Sequence, residues 1–167
     1  MMRNKLCLFG MVAVLLFTVT SCIANPSDKN SEPTGARLAD TKWKLAGFGD
    51  VGEGELREPG YGDPWGRDPK TWYTLFFLPD TALDYRGYMI ADVESVMNGG
   101  GFMYVADYES STFTTVETMF TQMQERFNGQ EYINALEEVQ AFELRDTTLK
   151  LYYNDKKNYL LFRSWEE

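Results

Sequence analysis

The rhythm of apolar and polar positions changes three times along the chain. Leu6 to Val19 is an apolar run of 14 residues, interrupted by Gly10 and Thr18 and preceded by Arg3 and Lys5. It falls short of the about 20 residues that a spanning helix needs, and it has the order of a secretory signal. Residues 23–37 are Pro, Ser, Asn and Gly with no apolar period, which predicts a flexible tether. Beyond them a period of two sets in. Lys42 and Lys44 alternate with Trp43 and Leu45, a half-buried first strand that Ala46-Gly47 should end. Phe48 to Lys70 reads as a long loop. Trp72 to Leu78 is apolar on both faces, a covered strand stopped by Pro79-Asp80. Leu83 to Ile90 suits another strand, and Ala91 to Met97 reads either way. Asn98-Gly99-Gly100-Gly101 suits a turn or exposed loop. Phe102 to Tyr108 and Thr112 to Glu117 resume strand character. Met119 to Phe127 is a helix or an irregular segment, with Phe120, Met123 and Phe127 at helical spacing.

The last third is the clearest. Asn128 with Glu131 three residues on has the spacing of a capping box. Tyr132, Ala135, Leu136 and Val139 then mark one face of a short helix. Three alternating segments follow: Phe142 and Leu144; Leu149, Leu151 and Tyr153; Tyr159, Leu161 and Phe162. They are separated by turns at Asp146-Thr147 and Asn154 to Lys157. The pattern predicts an α+β fold, mainly antiparallel β, as a curved sheet or partly open barrel with one or two short helices. The chain divides into a leader (1–21), an anchor and tether (22–37) and one folded domain (38–167).

The end of the leader carries the most specific motif. Val19-Thr20-Ser21-Cys22 resembles the lipobox of bacterial lipoproteins, an aliphatic residue and two small ones before the cysteine. The resemblance implies cleavage before Cys22 and acylation of that residue, with stable membrane anchoring by several acyl chains. Ile23, in place of an aspartate, implies the outer membrane where a cell has two. Cys7 leaves with the leader, so the folded part holds no free thiol or disulfide. Removing residues 1–21 takes Arg3 and Lys5 and no acid, which moves the net charge from −9 to −11. That charge argues against nucleic acid as a partner.

Candidate chemistry is sparse. The sequence has no histidine, so His-based nucleophile arrangements and His-ligated zinc do not arise. Glu137-Glu138 are neighbours on a helix and point about 100° apart, which suits a solvated surface better than a catalytic pair. Asp50, Glu53 and Glu55 with Gly52 and Gly54 could hold calcium, but they lack the order of an EF-hand loop and read as an acidic loop. The glycines at 99–101 lack the Lys-Ser/Thr of a phosphate loop. A glycan hydrolase would need two carboxylates in a cleft, and no pattern marks them. No catalytic residue, metal ligand or cofactor is assigned. Tyr61 and Trp65, large rings in a polar loop, are the candidate ligand or partner surface, able to stack on a sugar or an apolar patch; Trp65 could equally fold back as a plug. Trp72, Phe76, Phe77 and Tyr152 are expected in the core.

A family resemblance completes the reading. Leu38-Ala39-Asp40-Thr41-Lys42-Trp43-Lys44-Leu45 resembles the opening of META domains, the HslJ-like family. Thr118-Met119 resembles the family's Thr-Met step. Ala135 to Leu144, Thr148 to Tyr152 and Leu160 to Phe162 are similar to its closing helix and strands. The chain departs from the family at residues 95–101, where a Gly-Cys-Asn is common, and in the long loop at 48–70. The resemblance implies a curved antiparallel sheet at the cell envelope and no particular chemistry. The expected role is a non-catalytic binding or scaffolding module anchored through Cys22, with another envelope protein or a glycan as partner. The alternative is a lipocalin-like barrel around a small apolar or glycan ligand, which a hollow interior would favour.

Overall fold

The protein is described by a computed structural model at residues 37–61 and 72–165. In chain order the elements are β1 (Thr41–Asp50), β2 (Leu56–Arg57), β3 (Thr74–Phe77), β4 (Met89–Glu94), β5 (Gly99–Asp107) and β6 (Thr112–Phe120). Then come α1 (Gly129–Glu137), β7 (Ala141–Arg145), β8 (Thr148–Tyr153) and β9 (Asn158–Ser164). The strands form one antiparallel sheet in the order β2-β1-β3-β4-β5-β6-β7-β8-β9. β1 pairs with β3 along Thr41–Lys44 and with β9 along Trp43–Asp50, so the sheet closes on itself. The α+β, mainly antiparallel architecture expected from the pattern is therefore present, as a ring with one helix among the described residues.

Closure turns the period of two into inside and outside. Trp43, Leu45, Leu75, Phe77, Ala91, Val93, Leu149, Leu151, Leu160 and Phe162 are buried and point inward. Phe77, Phe102, Tyr104 and Phe113 meet edge to face, and Tyr104 stacks on Phe113 with centroids 5.0 Å apart. These rings occupy the barrel interior. The Tyr104 hydroxyl is buried among them without a hydrogen-bond partner among the described residues, and burial raises its pKa.

The ring has one weak seam. β6 and β7 pair only at Thr112↔Ala141, whereas β8 and β9 pair at six positions. Helix α1 lies beside the seam. Tyr132, Ala135 and Leu136 are buried, and the Tyr132 hydroxyl donates to the Thr74 carbonyl at 3.0 Å. Thr115 Oγ donates to the Leu136 carbonyl at 2.9 Å, tying the helix end to β6.

Six expectations are corrected. Ala46-Gly47 does not end β1, which continues to Asp50 past a bulge between Leu45 and Gly47; the Tyr159 ring lies over Gly49, where a Cβ would have to displace it. Residues 83–88 form a turn rather than a strand, bridged at Leu83↔Met89, and strand structure begins at Met89 and takes in residues 91–94. Asn98 to Gly101 is not an exposed loop: Asn98 is 3% exposed and Gly99–Gly101 open β5. Met119 and Phe120 belong to β6, and residues 121–128 form no helix. Asn128 makes no side-chain cap; its amide Nδ2 donates to Glu131 Oε2 at 2.9 Å, while its Oδ1 accepts the Gly60 N–H. Of the rings expected in the core, Trp72 and Phe77 are buried, but Phe76 and Tyr152 are half-buried on the outside.

Candidate partner surface

Of the expected site residues, Cys22 and Trp65 lie outside the described residues. Tyr61 is half-exposed (48%). Its ring meets Tyr73 edge-on at 5.9 Å, and Lys44 Nζ lies 5.8 Å from its centroid. Burial, with Glu58 nearby, raises the Tyr61 pKa. Tyr73 is held more firmly. It donates to the Gly60 carbonyl at 3.1 Å, packs edge-on against Tyr132, and burial pushes its pKa up to about 12. Phe127, 53% exposed, stacks on Trp72. Tyr61 thus sits at the rim of an aromatic cluster that anchors the 58–61 segment.

A second surface, on the outside of β4–β6, went unseen in the sequence. Gly99 and Gly101 face outward beside Glu94 and Asp92. Gly100 lies between them. A Cβ there would run into the Met119 carbonyl, and one on Gly101 into the Ala91 carbonyl, so strand packing itself demands glycine. The consequence is a floor of bare peptide between two rows of side chains. Ile90 and Asp92 stand on one side, Glu117 and Met119 on the other, and Met103 at the end, around a mostly apolar trough of about 510 Å³. Met119 is 73% exposed.

A stiff turn adjoins the trough. Asp84 Oδ1 accepts the N–H of Arg86 (2.9 Å) and of Tyr88 (2.8 Å), and Oδ2 accepts Arg86 Nε at 3.0 Å. Partial desolvation works against ionisation, but these donors outweigh it and hold the Asp84 carboxyl below the usual carboxylate range. Arg86 Nη2 reaches Glu117 Oε2 at 2.7 Å and Met103 Sδ at 2.9 Å, which locks the turn to the trough wall. Its bonds to Asp84 and Glu117 raise its pKa, so it stays cationic. The turn presents Tyr85, 92% exposed, to solvent with the Arg86 guanidinium 5.2 Å from its ring. Tyr, Arg and Met around a depression on a rigid frame is the composition of protein contact surfaces. One signal was available: Asp84-Tyr85-Arg86-Gly87 has the Asp and Gly of a tight turn, which would have put Tyr85 at its tip.

The acidic candidates fall elsewhere. Asp50 Oδ1 accepts the N–H of Gly52 and Glu53 and shapes a turn. Among the described residues no group of three or more carboxylates, cysteines or histidines converges as a metal site would require. Glu137 accepts a hydrogen bond from Thr118 Oγ at 3.0 Å on the exposed side of α1. The trough and turn offer contact area, fixed dipoles and an exposed ring. They can recognise a partner; Arg86 engages both nearby carboxylates, Asp84 and Glu117.

No family model matches the chain, and no curated protein matches it. Among solved structures the chain is similar to a protein from Burkholderia xenovorans determined by NMR. The identity is 20%, the TM-score 0.54, and the match covers 86% of this chain and all of that one. A DUF4847 family protein from Bacteroides vulgatus ATCC 8482 is 18% identical at TM-score 0.49, over 78% of this chain and 96% of that one. The first similarity shows the fold alone.

Proposed function

We propose that the protein is a lipid-anchored envelope lipoprotein of META/HslJ-like type, a non-catalytic binding module attached to the membrane through Cys22. The observation that carries the anchoring is Val19-Thr20-Ser21-Cys22 at the end of a 14-residue apolar run. The observation that supports binding is the trough on β4–β6 with Tyr85 held out beside it. Another envelope protein is the partner class that such a surface suits. The rings packed in the barrel interior support this reading over a lipocalin-like ligand barrel. Labelling of the full chain in bacterial cells with a palmitate analogue tests the anchor. Label on the native chain and none on Cys22→Ser, with the variant released from the membrane fraction, supports the reading; equal fractionation without label refutes it.

A further inference from the structure

The seam of the barrel leaves part of β6 without a strand on its second edge. Thr121 N–H donates to the Gly99 carbonyl at 3.1 Å, so Thr121 faces β5. Orientation alternates along an antiparallel strand, and the register Gly100↔Phe120, Gly101↔Met119, Phe102↔Thr118 is continuous. Met119 therefore also faces β5. The N–H and C=O groups of Thr118 and Phe120 face the other way, and no described residue pairs with them. Nearer β7 the edge is covered: Phe113 N–H donates to the Gln140 carbonyl, Phe142 N–H donates to the Ser111 carbonyl, and the Thr115 side-chain Oγ reaches the Leu136 carbonyl. A register shift between Met103 and Tyr104 separates the covered part from the open part.

The open part lines a groove of about 620 Å³. Its far wall is α1, through Gln130, Ile133 and Glu137, and its end is closed by Gln122 and Gln124. The segment forming that end is fixed. Asn98 Oδ1 accepts Met123 N–H at 2.8 Å, and Asn98 Nδ2 donates to Glu125 Oε1 at 2.6 Å. An edge strand facing a helix across a groove is the arrangement that takes up an extended peptide by strand addition. The unpaired backbone groups call for another extended backbone. The charge calls for basic side chains, since Glu137 is the charged residue lining the groove and the whole chain carries −9.

We propose that the edge of β6 at Thr118 and Phe120 binds an extended, basic segment of a partner protein as an added antiparallel strand in the groove against α1. This rests on the binding-module reading and supplies its mode of recognition. The probe is acetyl-Lys-Val-Thr-Val-Lys-amide, with acetyl-Lys-Pro-Thr-Pro-Lys-amide as its counterpart unable to donate from alternate residues. Amide hydrogen exchange of the full chain in detergent is followed by NMR. The first peptide should slow exchange at Thr118 and Phe120 by about tenfold or more, and the proline peptide should not. Thr118→Pro keeps the β5 ladder, because that N–H points away from β5, and should abolish the effect; Thr118→Ala and Tyr85→Ala should retain it. The proposal is overturned if Thr118 and Phe120 amides are already protected in the free chain. It is equally overturned if millimolar peptide leaves them unprotected, or if the proline peptide protects them as well. Those outcomes would leave the anchoring and the Tyr85 surface untouched, since Cys22 labelling and contacts at Tyr85 are read separately.

Discussion

The C-terminal meander and the β4–β6 sheet are built from the same alternating strands, yet their outer faces differ. On β7–β9 the outside is charged and tied down. Tyr152 donates to Glu143 Oε2 at 3.0 Å, Arg145 pairs with Glu143, and Lys150 Nζ lies 4.8 Å from the Tyr159 centroid. β8 and β9 are paired along both edges. On β4–β6 the outside is glycine, Met103 and exposed Met119 among the acidic Asp92, Glu94 and Glu117, Arg86 of the adjoining turn is locked between two carboxylates, and β6 is open along part of an edge. Both halves contribute buried residues to the core, Ala91, Val93, Phe102, Tyr104 and Phe113 from one and Phe142, Leu149, Leu151, Leu160 and Phe162 from the other, so the contrast lies on the outer faces. A bare floor and an unpaired edge contribute nothing to stability that the meander's solution would not. That is why the functional reading falls on β4–β6.

The contrast can be broken by substitutions whose effects differ in size. The largest belongs to the floor. Gly100→Ala pushes a Cβ into the Met119 carbonyl and the Phe120 backbone and should cost about 3 kcal/mol in urea unfolding. Gly99→Ala meets only the Glu94 carboxylate, at 3.0 Å, a movable side-chain end, and should cost less than about 1 kcal/mol. Equal losses would mean that the floor is not set by backbone approach. Next comes the tie that holds the groove end. Asn98→Ala removes bonds to Met123 and Glu125 from a buried site and should cost about 2 kcal/mol by the same measurement.

Tyr104→Phe should have the opposite sign. It removes a buried hydroxyl that has no hydrogen-bond partner among the described residues and should stabilise by about 1 kcal/mol; a loss would show that the hydroxyl is satisfied. The smallest effect is a pH dependence. The folded Asp84 carboxyl titrates below its ordinary value of 3.8, so its contribution is complete above that value and fades as the pH falls through the folded one. Asp84→Asn should lower Tm by a constant amount above about pH 5, and by a shrinking amount below about pH 4. A gap that widens on acidification would contradict the hydrogen-bond pattern at the turn.

How much of this the sequence carries depends on the kind of signal. The closing helix and the first part of the meander are legible because Tyr132, Leu136, Leu149 and Leu151 keep their period and are buried; in the last strand the buried alternation is Leu160 and Phe162, not Tyr159 and Leu161. The β4–β5 hairpin is not legible. Gly99–Gly101 reads as a loop by propensity, and only the close approach of Met119 and Ala91 makes glycine a strand residue there. The same holds for Gly49 under Tyr159. Tyr61 is recoverable as an exposed ring, but its packing on Tyr73 depends on contacts distant in sequence. The open edge of β6 is invisible to any pattern, because it arises from where β7 stops pairing.

The most direct test of the central claim compares the two faces in the living envelope. A photoreactive amino acid is placed in the full chain at Tyr85, at Met119 and, on the meander, at Lys150. Urea unfolding checks that each substituted chain keeps its stability within about 0.5 kcal/mol. The account expects one discrete protein adduct from Tyr85 and Met119, of the same mass from both, and none from Lys150. The same adduct from Lys150, or none from Tyr85 and Met119, would contradict it.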